Sequence, residues 1–311
     1  MKKVLRKILI VFCIIIICCS SAILGYRVYY IFKDKMNTDS YQRLVKQVAD
    51  DFPDSKGESE KSLVLDYSLA DSKSTISDLG LSKLSSDTSN MAKNFCKFLI
   101  RKLREKYENE DIIGYIKCIN HDLEYPIVQG EVNDDYLHTG LDKNYDYNGS
   151  IFLDSGNTED FMDSRSVVYG HNMRNGSMFG NLKNFYGDSI KDSYFLIYTE
   201  EGINVYKIIC YATIYAYGEN YYVHPEKEIK RKLIYGDGGN PDSITCSEEE
   251  AEKASSTDTG LEEFYEKIKK KAMKFDDKYV FSKGDKFLTL MTCFGDGKTE
   301  RLAITGYLIN G

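Results

Sequence analysis

From about residue 112 onward the apolar residues of this chain come in short, separated runs, and that punctuation limits the folds open to it. The runs read "DIIGYIKCI", "YPIVQG", "GSIFLD", "SVVYG", "SYFLIYT", "NVYKIICYATIYAY", "KFLTLMTC" and "RLAITGYLI". They are rich in β-branched and aromatic side chains, which suit a pleated surface, and are bounded by the Gly, Asn, Asp and Pro clusters that turns require. Eight such runs with few long helices predict an all-β barrel or sandwich carrying accessory helices. With 42% apolar residues and 13% aromatics among 311 residues, a core of that kind can be filled.

Two stretches depart from the strand rhythm. Met91, Phe95, Phe98, Leu99 and Leu103 follow helical spacing and predict a helix that opens the folded domain. Between Tyr217 and Lys286 lies a long interruption with a Gly-rich turn, "GDGGNPDS", and an acidic run, "SEEEAEK". It ends in a second helical pattern in which Leu261, Phe264, Tyr265, Ile268 and Ala272 share a face. A structureless loop of that length is uncommon in a compact domain, so this helix is expected to pack back on the barrel.

The N-terminus, "MKKVLRKILIVFCIIIICCSSAILGYRVYY", places Lys2, Lys3, Arg6 and Lys7 before an uncharged stretch at 8–26. At about 1.5 Å per residue that stretch spans roughly 28 Å, about one hydrocarbon core. It is longer than a signal-peptide core and is followed by no clear A-x-A site. The expectation is a single-pass anchor at 8–26, residues 1–7 cytoplasmic, and the rest extracytoplasmic at the cell membrane. Residues 27–90, rich in Ser, Asp and Lys, read as a stalk with a short helix near Ser40 to Asp50. The folded domain is then 91–311.

The balance of 41 basic against 48 acidic residues argues against a nucleic-acid partner, which a basic patch would serve. Of eight cysteines, Cys13, Cys18 and Cys19 lie in the apolar stretch. Cys96, Cys118, Cys210, Cys246 and Cys293 remain, an odd number, so at least one is unpaired within the chain. No C-x-x-C or H-x-x-x-H spacing occurs, and neither a metal nor another cofactor is expected.

Cys293 ends an apolar run and precedes the turn "FGDGK", a placement that makes a thiol both rigid and accessible. Arg301 opens the next run. If the two strands are neighbours, its guanidinium reaches the thiol's surroundings, where a cation favours the thiolate and can stabilise an oxyanion. His171, after "SVVYG", supplies a group that titrates near neutrality and can carry a proton in both directions, with Gly170 giving the backbone freedom to turn. Each residue alone fits an ordinary structural role; the combination points to nucleophilic catalysis. Asp296 fits a turn cap. Cys246, with Thr245 before it, follows a turn and has Ala254 eight residues on, so it reads as a loop thiol. His121, His138 and His224 lack a strand-end setting.

"TLMTC" followed by Arg301 resembles the T-L-x-T-C…R signature of the sortases, membrane-anchored cysteine transpeptidases of Gram-positive bacteria. "VVYGHNMRNGSMFGNL", "YPIVQGEVNDDYLHTG" and "GSIFLD" resemble their class B branch, over about residues 91–311. The resemblance implies an eight-stranded barrel with an N-terminal helix and a long helix-containing loop before the Cys strand. It implies that Cys293 attacks the carbonyl after the Thr of a C-terminal sorting motif in a secreted protein, forming a thioester. His171 is then general acid and base, Arg301 holds substrate and oxyanion, and an amine of lipid II or the peptidoglycan cross-bridge resolves the thioester. It also implies an Asn-Pro-x-Thr-Asn-like motif and substrates often concerned with haem uptake. Asn133 and Leu137 fall where class B enzymes line the substrate groove. Met291, where some members carry Ser, joins them as a substrate-contact candidate, and Tyr115 takes a place often held by Trp. A pilin-polymerising sortase and a catalytically inactive, membrane-tethered module that binds sorting signals are the alternatives.

Overall fold

The computed structural model describes residues 2–52, 86–119, 121–186, 190, 193–215, 258–294 and 300–309. The elements in chain order are α1 (Lys2–Asp51), α2 (Ser86–Tyr107), β1 (Ile112–Ile119), β2 (Glu124–Val128), β3 (Ile151–Leu153) and β4 (Arg165–Tyr169), followed by a 3-10 helix (Gly180–Tyr186). After it come β5 (Tyr194–Thr199), β6 (Gly202–Tyr215), α3 (Asp258–Lys271), β7 (Ala272–Phe275), β8 (Phe287–Phe294) and β9 (Glu300–Leu308).

The strands follow the order β5-β1-β2-β3-β4-β8-β9-β6, and a β5–β6 pairing closes the ring, so eight strands form a barrel with β7 added outside it on β6. Closure leaves those eight strands without an open edge, which removes the main aggregation liability of a β-sheet. Six of the ring's contacts are antiparallel; β2–β3 and β4–β8 are parallel. The parallel β4–β8 pair sets the chemistry, because it points the C-terminal ends of both strands to the same rim.

Two apolar clusters hold the barrel. The larger joins its interior to Phe95, Cys96, Leu99, Ile100 and Leu103 of α2. Strand β1 is thereby covered on both faces, which explains why "IIGYIKCI" reads as a nearly unbroken apolar run rather than an alternation. The smaller cluster seats Leu261, Phe264, Tyr265 and Ile268 of α3 against Val167, Ile209, Phe287 and Met291. Each large side chain buried this way contributes about 1.5–3 kcal/mol. The helix expected in the long interruption is thus present and packed on the barrel. Ala272, expected on its apolar face, instead begins β7 because the helix ends at Lys271. The interruption's Gly-rich turn and acidic run lie outside the described residues.

The N-terminal expectation needs correction. Among the described residues no helix is long and apolar enough to cross a membrane. The apolar run at 8–26 is not a separate spanning unit. It is the first part of a 50-residue helix that continues without a break through "FKDKMNTDSYQRLVKQVADD". The single-pass anchor, the membrane as partner and the cytoplasmic and extracytoplasmic assignments built on it are therefore unsupported. The far end of α1 belongs to the domain: Tyr41, Val45, Val48 and Ala49, on one helical face, are buried in the larger cluster. The helix expected near Ser40 to Asp50 is this end of α1. Most of the remaining stretch expected as stalk lies outside the described residues.

Candidate active site

Cys293 and Arg301 are direct cross-strand partners in the antiparallel β8–β9 ladder. Partners of this kind project on the same face with Cβ atoms about 4.5–5.5 Å apart, so the thiol and the base of the guanidinium stem stand side by side. Cys293 is half-buried, whereas Cys96, Cys118 and Cys210 are fully buried, and all four are free thiols. Burial pushes the Cys210 thiol up to about 12 and moves those of Cys96 and Cys118 upward as well. A thiol held protonated is a poor nucleophile. Among the described barrel cysteines, Cys293 alone combines access with a neighbouring cation.

His171 reaches this rim through β4. The parallel ladder aligns Tyr169 with Met291, and the backbone beyond it stays alongside β8. The Gly170 N–H donates to the Met291 carbonyl at 3.3 Å, and the Thr292 hydroxyl donates to the Gly170 carbonyl at 2.6 Å. The Asn172 side-chain amide donates to the Cys293 carbonyl at 2.7 Å. His171 therefore sits on a segment tied on both sides of it to the strand end that carries Cys293. Gly170 has a different purpose from the one expected: its φ is not in the left-handed region, but a Cβ would meet Ile151 Cδ1 at 2.4 Å and Phe179 at 2.9 Å. It provides room for close packing, not freedom to turn.

The imidazole is oriented by the loop between β2 and β3. Its Nε2 lies 2.8 Å from the Leu137 carbonyl. A carbonyl only accepts, so Nε2 carries the hydrogen and Nδ1 is the nitrogen free to exchange a proton. The ring also packs on His138, with centroids 5.3 Å apart and planes 20° apart. Desolvation is the largest influence on His171 and lowers its pKa below the usual value, a charged His138 lowers it further, and the Leu137 carbonyl opposes both.

The three substrate-contact candidates separate. Leu137 is 37% exposed beside His171. Asn133 has its amide engaged: Nδ2 donates to Asp154 Oδ2 at 3.0 Å and Oδ1 accepts from the Ser155 N–H at 2.8 Å. The same buried carboxylate accepts from the Tyr169 hydroxyl at 2.8 Å, so it joins the loop bearing Leu137 to the strand bearing His171. Met291 is 2% exposed and packs in the smaller core cluster, which the register requires: on a strand, side chains alternate, and residues 291 and 293 share a side from which only the strand end emerges. Tyr115 is likewise core, edge-on to Tyr198.

His121 lies elsewhere, stacked on Phe185. His224, Thr245, Cys246, Ala254 and Asp296 lie outside the described residues. Among the described residues no cluster of three His, Cys, Asp or Glu side chains is arranged to hold a metal. Sequence reasoning passed over Asn172 and the Leu137 carbonyl. Asn172 follows the candidate histidine directly and could have been noticed; a backbone carbonyl leaves no trace in a sequence.

A closed eight-stranded barrel with an N-terminal helix and a helix packed ahead of the cysteine strand defines a sortase-type fold. No family model matches the chain. The chain is similar to Sortase B of Listeria monocytogenes, 28% identical over 203 residues that cover 65% of this chain and 71% of that one. It is also similar in structure to Clostridium perfringens sortase B, with a TM-score of 0.51, 26% identity and coverage of 68% of this chain and 99% of that one. The Staphylococcus aureus sortase B-substrate complex shares the fold, with a TM-score of 0.52, 21% identity and coverage of 69% and 86%. These similarities in sequence and fold support a class B sortase.

Proposed function

We propose that this protein cleaves a C-terminal sorting motif in secreted proteins and transfers the acyl group to a cell-wall amine of lipid II or the peptidoglycan cross-bridge. The observation that carries the reading is the shared rim: Cys293 paired with Arg301 across β8–β9, with the His171 segment tied to the Cys293 carbonyl. The thiolate of Cys293 adds to the scissile carbonyl, and Arg301 N–H groups donate to the oxygen as it gains charge. Collapse of that adduct breaks the C–N bond, leaves a thioester, and passes a proton from His171 Nδ1 to the departing amine. An acceptor amine then adds to the thioester, returns a proton to His171, and expels the Cys293 thiolate. The low proton affinity of His171 suits the first transfer, because a weaker hold on the proton makes a stronger general acid. Leu137, exposed beside the imidazole, is the substrate contact the geometry favours most among the three candidates. That a related sortase B has been captured with substrate supports a peptide ligand on this fold.

Intact-mass spectrometry with a library of sorting peptides tests the reading. The wild-type protein should gain the mass of the acyl fragment and lose it when an amine is added; the Cys293→Ala variant should do neither. An acyl adduct of the same mass on Cys293→Ala would refute the assignment.

A further inference from the structure

His138 is exposed and lies in the loop between β2 and β3, far in sequence from His171, Cys293 and Arg301. Its position is nonetheless constrained from several directions. Its Nδ1 lies 3.1 Å from the Tyr147 carbonyl. Its ring lies against those of Tyr147 and Tyr145, with centroids at 6.1 and 6.4 Å. Its own carbonyl accepts the Asp146 N–H at 3.0 Å, and Thr139 beside it bridges to Tyr145. The loop therefore holds the His138 ring in place, and that ring also stacks with His171.

Leu137 and His138 act on the same imidazole in complementary ways. The carbonyl of Leu137 fixes the edge of the His171 ring through Nε2, which sets the direction of Nδ1. A single hydrogen bond leaves the ring able to swing about that contact, and a flat neighbour stacked on its face restricts the swing. We propose that His138 is a positioning residue for His171, its ring forming the wall that holds the imidazole in the orientation set by Leu137. The titratable groups around the pair are Tyr145 and Tyr147 on the same loop as His138, and Cys293 and Arg301 at the ends of β8 and β9. A positive charge on the stacked His138 ring lowers the pKa of His171.

The inference rests on the transpeptidase reading for its kinetic consequence but not for its structural one, and two measurements keep them apart. The first follows the His171 imidazole C2–H resonance by NMR against pH in the wild type, His138→Phe and His138→Ala, assigned with His171→Gln. Both variants remove the neighbouring charge, so the His171 midpoint should rise in both, and more in His138→Ala, where the wall is also lost and water reaches the ring. The second measures transpeptidation. His138→Phe keeps a stacked ring and should hold kcat within about twofold, whereas His138→Ala should lose about three- to tenfold in kcat with KM unchanged, the range expected when one aromatic pair is lost. An unmoved His171 midpoint in both variants overturns the proposal, whatever the activity. A defect confined to KM also overturns it, because His138 would then touch substrate. If the wild-type protein shows no turnover, the transpeptidase reading fails and the NMR titration still decides the placement of His138.

Discussion

Gly149 tests whether the Leu137 carbonyl orients His171. Its φ of +58° is in the left-handed region, and a Cβ built there would sit 2.3 Å from the Leu137 oxygen and 2.6 Å from the Tyr136 oxygen. Ordinary contact needs ~3.5 Å, so Gly149→Ala must move those carbonyls by roughly an ångström. The Leu137 oxygen is the one that His171 Nε2 reaches at 2.8 Å, and a displacement of that size breaks a hydrogen bond. The left-handed backbone alone costs an alanine about 1–2 kcal/mol. Displacing backbone that has no flexible end to yield adds a similar amount, so the variant should lose ~2–4 kcal/mol of stability. Loss of the bond orienting the imidazole removes about 1 kcal/mol of net interaction, which is roughly five- to tenfold in kcat/KM. Gly284 is the control: its φ is +87° and nothing lies within 4 Å of a Cβ there. Gly284→Ala should lose only the backbone contribution and keep full activity. Urea unfolding and steady-state transpeptidation of the two variants decide the matter. If Gly149→Ala is no less stable than Gly284→Ala and equally active, the carbonyl does not hold the histidine and the reasoning fails.

Two further outcomes are expected. Iodoacetamide at pH 7.5, read by peptide mapping, should label Cys293 in the native protein and leave Cys96, Cys118 and Cys210 unlabelled until denaturant is added, because burial both shields these thiols and raises their pKa; labelling of native Cys210 would contradict the burial argument. Replacing Asp154 by Ala strips a buried acceptor from Asn133, Tyr169 and the Gly156 N–H, and should cost about 2–4 kcal/mol, seen as a lower urea midpoint; a change under about 0.5 kcal/mol would show that the carboxylate does not join the loop to β4.

Most of the fold was legible because it is written in local periodicity. Runs of alternating or wholly apolar residues bounded by turn formers mark strands wherever they occur, and Phe95, Leu99 and Leu103 mark a helix by spacing alone. The apolar run at 8–26 was misleading for the same reason: a window of composition describes the stretch but says nothing of what the helix does next, and here it continues to Asp51 and delivers Tyr41, Val45 and Val48 to the core. Met291 shows the converse limit. Its place where some class B members carry Ser suggested a substrate contact, yet the strand's path into the smaller core cluster leaves its side chain enclosed.

By itself the sequence determined that a Cys, a His and an Arg would stand at strand ends, since side-chain chemistry and turn signals are local properties. Tertiary structure alone decided how they meet. Barrel closure put β4 parallel to β8 and so brought residues 171 and 293 to one rim. It also brought the Leu137 carbonyl and the His138 ring to an imidazole more than thirty residues away. Every residue owns a carbonyl, and an exposed histidine in a loop carries no distinguishing mark, so only the folded path of the chain reveals which ones touch the candidate acid and base.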